Sequence, residues 1–178
     1  MGETSLDPGV NTIAGLYGQY ELPIYRYLLR LCGSEAVARE LTQETFFQVL
    51  TSWKRFQGKS SVKTWLYKIA RNVYLHYIRD KARTNKLQQK IANENNAPQY
   101  TPSPETGLEE KRLRETVRYV LQLLPEQYRT VILLKEVENL SHREIADIME
   151  KSEASVKVML FRAKQKFREE FDRLEGSQ

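Results

Sequence analysis

The sequence predicts an all-α chain: two small helical domains joined by a flexible linker, the C-terminal one a helix-turn-helix. Three observations predict it. Apolar residues recur with the 3.6-residue helical period on both sides of the middle of the chain. The middle itself, residues 84–107, reads TNKLQQKIANENNAPQYTPSPETG, with four Asn, three Pro and few apolar side chains. Ser141-His142-Arg143-Glu144 has the form of a capping box, and Ser152 supplies a second N-cap soon after it, as two helices across a tight turn require. At 178 residues the chain is long enough for one medium domain or two small ones.

Element by element, Ile24, Tyr27, Leu28 and Leu31 fall at i, i+3, i+4 and i+7, and Gly33 then stops the helix. Ser34 caps the next, with Val37, Leu41, Thr45, Val49 and Trp53 along one side. Gly58-Lys59-Ser60-Ser61 interrupts. A third helix runs from about Val62 to Arg83 with an inner stripe of Val62, Trp65, Leu66, Ile69 and Val73. The 24 residues that follow reach on the order of 80 Å when extended.

Beyond them Leu113, Val117, Val120, Leu121 and Leu124 form a stripe, and Pro125 suits the first turn of a helix burying Tyr128, Val131, Ile132 and Leu134. The capping-box helix carries Ile145, Ala146, Ile148 and Met149; the last helix turns Val156, Leu160, Ala163 and Phe167 inward. The expected division is a tail at 1–11, a first domain at 12–83, a linker at 84–109 and a second domain at 110–174.

Composition narrows the class. With 40% hydrophobic and 29% charged residues the chain is globular, and its longest clean apolar run, Val131 to Leu134, is far short of a membrane span. The N-terminus lacks the basic and apolar regions of a secretory signal, and Leu6 stands where a myristoylation motif needs Ser or Thr. The single cysteine, Cys32, rules out an intrachain disulfide and suits a reducing compartment, so a soluble cytoplasmic protein is expected.

The net charge of +5 is concentrated. Residues 1–83 hold 12 basic and 7 acidic side chains, whereas 108–178 hold 14 of each. Lys54 to Arg83 alone carries nine basic residues against Asp80, interleaved with Phe56, Trp65, Tyr67, Tyr74 and Tyr77 and bordered by Trp53. A charge run alone is more often a solvated face. Cations beside aromatic rings point further, to phosphates and to unpaired bases that stack.

In the last helix, Ala154 to Arg168 holds five basic residues and no acid, and Ser155, Lys157, Val158, Phe161 and Arg162 lie away from the inner stripe. The second helix of a helix-turn-helix enters the major groove. There Arg162 suits a guanine, Lys157 a base or phosphate, and Phe161 a thymine methyl.

Catalytic chemistry finds little support. Gly58-Lys59-Ser60 imitates the end of a P-loop, but Trp53 occupies the place of the leading glycine. Cys32, His76 and His142 are too few and too scattered for zinc. No enzyme, cofactor or metal is expected.

Glu40-Leu41-Thr42-Gln43-Glu44-Thr45-Phe46, Phe56 and Thr64-Trp65-Leu66-Tyr67-Lys68-Ile69-Ala70-Arg71-Asn72 resemble domain 2 of bacterial extracytoplasmic-function (ECF) sigma factors of the sigma-70 family. Leu124-Pro125-Glu126-Gln127-Tyr128-Arg129, Leu140 to Ala146, Ser155-Val156-Lys157 and Phe161-Arg162-Ala163-Lys164 resemble their domain 4. The resemblance spans roughly residues 12–83 and 110–172, and the absence of a domain 3 between them also fits the ECF type. It implies a dissociable specificity subunit of RNA polymerase, with core polymerase, promoter DNA and an anti-sigma factor as partners. Core binding is then implied for Glu40, Gln43, Glu44 and Phe47. Recognition and melting of the −10 element is implied for Phe56, Lys59, Lys63, Trp65, Lys68, Arg71, Asn72 and Arg79, around a loop at about Phe56 to Lys63 that captures an unstacked base. Reading of the −35 element is implied for Arg143, Ser155, Lys157, Phe161, Arg162 and Lys164.

The chain departs from the family at four places: Arg39 replaces a usual acid, His76 a usual Asp, Glu150 a common turn glycine and Met159 a frequent Arg. Two rival readings are a stand-alone helix-turn-helix regulator, which leaves the stretch 53–83 unused, and a helical adaptor that binds only protein through Glu40 and Glu44.

Overall fold

The computed structural model describes residues 13–88 and 108–176. The expected tail at 1–11 and residues 89–107 of the expected linker lie outside the described residues. Every regular element among those described is helical. Two compact units divide the chain, Met1–Tyr74 and Leu75–Gln178, with the division falling inside the third helix.

The first unit is built from α1 (Ile13–Cys32), α2 (Glu35–Ser52), a 3-10 turn at Trp53–Arg55 and the opening turns of α3 (Val62–Gln88). Ile24, Tyr27, Leu28 and Leu31 are all fully buried, as their spacing predicts, and Leu16 joins them. Gly33 ends α1 at φ 73°, and its N–H bonds the Leu29 carbonyl at 2.8 Å. Glycine adopts that left-handed conformation without the Cβ clash other residues meet. Ser34 caps α2 through the Val37 amide.

Two polar residues on the buried side of α2 are satisfied by their own helix. The Thr42 and Thr45 hydroxyls donate to the carbonyls of Ala38 and Leu41, each at 2.7 Å. Between them and beyond, Leu41, Phe46 and Val49 supply the apolar contacts.

The inner face of α3 differs from the expected stripe. Leu66 and Val73 are buried, but so are Thr64, Tyr67, Ala70, Arg71 and Tyr74, while Trp65 and Ile69 are only half-buried. The buried arc is therefore rotated towards Tyr67 and Tyr74, two rings that the sequence also offers as stacking surfaces. Tyrosine enters a core when its hydroxyl finds a partner: Tyr74 donates to the Leu31 carbonyl at 3.2 Å. Tyr67 meets Tyr27 edge-on, ring centres 5.1 Å apart.

The second unit contains α4 (Leu108–Leu123), α5 (Glu126–Ile132), a π-helical turn (Leu133–Val137), α6 (His142–Met149) and α7 (Glu153–Glu175). Its core comes from all of them: Val120, Leu121 and Leu124, then Val131, Leu133 and Leu134, then Ile145 and Ile148, then Val156, Leu160 and Ala163. Leu113, expected in the stripe, is instead 51% exposed; among the described side chains of α4, burial begins at Thr116. Phe167 is half-buried and stacks on Phe171 at 6.0 Å. Pro125 precedes α5 as its N-cap, with extended backbone, rather than entering its first turn.

Arg129 fixes the corner between α4 and α5. It is buried, and its guanidinium donates to the Gln122 side chain (2.7 Å) and to the carbonyls of Gln122 (2.9 Å) and Leu124 (3.1 Å). These are C-terminal carbonyls that the helix itself leaves without partners.

Candidate nucleic-acid interface

The helix-turn-helix is formed by α6 and α7. Ser141 Oγ accepts from the Glu144 amide at 3.2 Å, and the Glu144 carboxylate accepts from the Ser141 amide at 2.9 Å, completing the capping box. At the other end, Glu150 takes the left-handed conformation at φ 54°, ψ 48°, and the Lys151 N–H bonds back to the Ala146 carbonyl at 3.0 Å. That six-to-one bond is a Schellman turn, the geometry for which glycine is favoured. Ser152 then starts α7 by accepting from the Ser155 amide at 3.1 Å.

These caps settle which residues α7 turns outward. Val156, Leu160 and Ala163 are buried, while Ser155, Lys157, Val158, Phe161, Arg162 and Lys164 are exposed. Phe161 is 71% exposed, an unusual place for a phenyl ring on a helix with its own core to fill. Several expected DNA contacts have protein partners. The Ser155 hydroxyl pairs with that of Ser152 at 2.7 Å, Lys157 meets Glu153 at 3.3 Å, and Lys164 meets Glu136 of the π-helical turn at 2.8 Å. Arg143 on α6 and Arg162 on α7 stand exposed.

In the first unit, Trp53, Phe56 and Trp65 form one cluster. Phe56 stacks on Trp53 at 5.8 Å and lies 4.9 Å from Trp65. Beside it opens a cleft of about 590 Å³ that brings together the expected Trp65, Lys68 and Asn72. Its other walls, Gln48, Thr51, Ser52 and Ile69, come from the end of α2 and from α3. The three from α2 carry no sequence signal of their own beyond a polar run one turn past the Glu40–Phe47 stripe.

The remaining expected residues stand apart from the cleft. Lys59 is exposed; Lys63 lies 5.9 Å over the Tyr67 ring; Arg79 is exposed and donates to the Leu75 carbonyl at 3.0 Å. Arg71 corrects the sequence reading: it is only 7% exposed, on the same buried arc as Tyr67, Ala70 and Tyr74 at i, i+3, i+4 and i+7, rather than on a wet face.

On α2 the expected stripe is fully outward. Glu40, Gln43, Glu44 and Phe47 are all exposed, Phe47 by 61%, and Leu50 at 50% extends the row by one turn. Gln48 donates to the Glu44 carboxylate at 2.9 Å. Among the described residues no helix is long and apolar enough to cross a membrane.

Comparison with known proteins places both units. The family model for sigma-70 region 2 matches residues 16–84, and that for sigma-70 region 4 matches residues 114–167. The RNA polymerase sigma factor YlaC of Bacillus subtilis is 35% identical over 156 residues, covering 86% of this chain and 88% of that protein. The ECF RNA polymerase sigma-E factor of Salmonella typhimurium is 30% identical over 132 residues, covering 71% and 69% respectively. Among solved structures, the sigma factor RpoE in complex with the anti-sigma factor NepR from Bartonella quintana shares the fold, with a TM-score of 0.72, 19% identity, and 89% of this chain and 96% of that one covered. With a region 2 match followed in order by a region 4 match on two helical domains, the chain belongs to the ECF group of the sigma-70 family, the alternative sigma factors that direct transcription initiation.

Proposed function

We propose that this sigma factor binds core RNA polymerase through the α2 row of Glu40, Gln43, Glu44 and Phe47, opens the −10 element beside the cleft of Trp65, Lys68 and Asn72, and reads the −35 element with α7. The observation that carries the reading is that α2 and α7 each hold out a face their own domain does not bury, one acidic and apolar, the other basic and apolar. An acidic row ending in Phe47 suits a basic helical partner in the polymerase. Basic side chains around Phe161 suit a major groove.

At the −10 element, Trp65 offers a ring to an unstacked base, Asn72 both a donor and an acceptor for its edge, and Lys68 a charge for the backbone. Phe56, Lys59, Lys63 and Arg79 remain proposed strand contacts outside the cleft. Arg71, being buried, is proposed instead to support the helix that presents them. At the −35 element Arg162 and Lys157 take base edges, and Arg143, Ser155 and Lys164 take the backbone. Two elements two helical turns apart lie about 70 Å from one another, and the residues between α3 and α4, which span roughly 65 Å when fully extended, reach that far once the domains' own width is added.

On this reading the chain catalyses nothing itself, needs no cofactor and works in the cytoplasm, where its polymerase is. The structural relative bound to NepR supports a protein antagonist as a further partner, an anti-sigma factor that covers the exposed faces.

The test is multi-round transcription on fragmented genomic DNA with sigma-free core polymerase, with and without this protein. Discrete transcripts that need both components are expected. Sequence-specific duplex retention without core, and no transcripts, would favour a stand-alone regulator instead.

A further inference from the structure

We infer that Val158 and Phe161 together form an apolar reader of thymine methyl groups in the −35 duplex, so that Val158 is a specificity-determining residue of α7. The inference rests on the −35 reading proposed above. Val158 is 51% exposed and Phe161 71%. Measured round the helix from the Val156–Leu160–Ala163 core, Val158 lies at roughly 170°, the centre of the wet face, with Phe161 and Arg162 at about 130° on either side of it. Val158 and Phe161 stand at i and i+3, so their side chains adjoin.

Neither residue is explained by the domain's own stability. A β-branched valine lowers helix propensity and, facing away from the core, gains no packing in return. A single exposed apolar residue needs no account. Two adjoining ones at the centre of the outward face do, because they sit between Lys157 and Arg162, where a phosphate or guanine contact would want polar groups throughout.

The Ser152–Ser155 cap fixes the first turn of α7 and so fixes the direction of this pair. On the floor of the major groove the thymine 5-methyl group is the one alkyl group a base presents. Val158 and Phe161 can bury such methyls on neighbouring base pairs while Lys157 and Arg162 address the polar atoms beside them. Met159, half-buried at the flank of the core stripe, takes no part.

The test uses the full-length protein with core polymerase, on the promoters found by the transcription assay. Each thymine of the −35 element is replaced in turn by deoxyuridine, which removes the methyl group and leaves every hydrogen-bonding group in place. Binding is expected to weaken about fourfold for each methyl contacted. Val158→Ala, a change that raises helix propensity and keeps the fold, is expected to bind thymine and uracil templates alike at one position, and Phe161→Ala at its neighbour. If base-pair substitutions in the −35 element weaken binding but deoxyuridine never does, the inference is overturned and the −35 reading stands. If neither has an effect, the −35 reading fails and takes the inference with it. Val158→Ala losing affinity equally on both templates removes Val158 from the reader.

Discussion

Lys164 reaches from α7 to Glu136 of the π-helical turn, Nζ to Oε1 at 2.8 Å, so a cation proposed for the −35 backbone is held by the scaffold of its own domain. Both side chains are about half exposed, and such pairs contribute about 1 kcal/mol or less. A phosphate can therefore displace Glu136. Glu136→Gln frees Lys164 in advance. It is expected to tighten duplex binding by up to about fivefold, the roughly 1 kcal/mol no longer needed to break the pair. Lys164→Ala is expected to flatten the log-log plot of binding against salt by up to about 0.9, the loss of one released counterion. An unchanged slope, measured by duplex retention of the holoenzyme across a salt series, would place Lys164 off the DNA.

Arg129 closes the α4–α5 corner with three donated bonds from a buried guanidinium. Arg129→Ala leaves the Gln122 and Leu124 carbonyls without that donor and is expected to destabilise the second domain by about 3 kcal/mol. Both tryptophans, Trp53 and Trp65, lie in the first domain. Far-UV circular dichroism should thus register the loss in urea while tryptophan fluorescence reports an unmoved transition.

Glu150 holds φ 54° where its Cβ is crowded. Glu150→Gly relieves that crowding at the cost of a freer unfolded chain, and the difference is expected to stabilise the second domain by about 0.5–1 kcal/mol. The same pair of probes in urea checks it, with only the circular dichroism transition moving to higher denaturant.

Period and capping together suffice for most of the fold: the Ile24–Leu31 stripe, the Ser141–Glu144 box and the Ser152 cap all stand where local spacing puts them. Periodicity misjudges α3, because tyrosine counts neither as core nor as surface until its hydroxyl has a partner, and Tyr74 finds one 43 residues away on Leu31. That rotation of the helix is also what buries Arg71. The cleft is half legible for a related reason. Trp65, Lys68 and Asn72 belong to one helix and one motif, whereas Gln48, Thr51 and Ser52 join them only through tertiary structure. Likewise Lys164 reads as a free cation until Glu136, 28 positions earlier in sequence, is brought beside it.

Glu170 gives the second domain an acid-sensitive element. Its hydrogen bond from Lys166 at 2.9 Å, with the charge of Arg173 adding to it, holds the carboxyl below the usual carboxylate range despite the opposing effect of burial. A lowered folded-state value means the contribution is present above the unfolded pKa and is lost as pH falls through the folded one. Thermal melts followed by circular dichroism should therefore show the gap between wild type and Glu170→Gln narrowing as the pH drops below about 4. A gap that stays constant from pH 7 to pH 3 would mean the carboxylate charge is immaterial.

Asn72 lines the cleft with Trp65 and Lys68, and it is the one of the three whose side chain presents both a donor and an acceptor. Duplex DNA offers its bases' pairing edges to nothing but their partners, so an amide in the cleft meets such an edge only after a base has left the stack. Asn72→Ala should then spare duplex retention and slow strand opening, by about fivefold if one hydrogen bond of roughly 1 kcal/mol is lost. Permanganate reactivity of unpaired thymines near −10, followed in time alongside retention of the same template, separates the two. Equal losses in both would assign Asn72 to the duplex and empty the cleft of its proposed base.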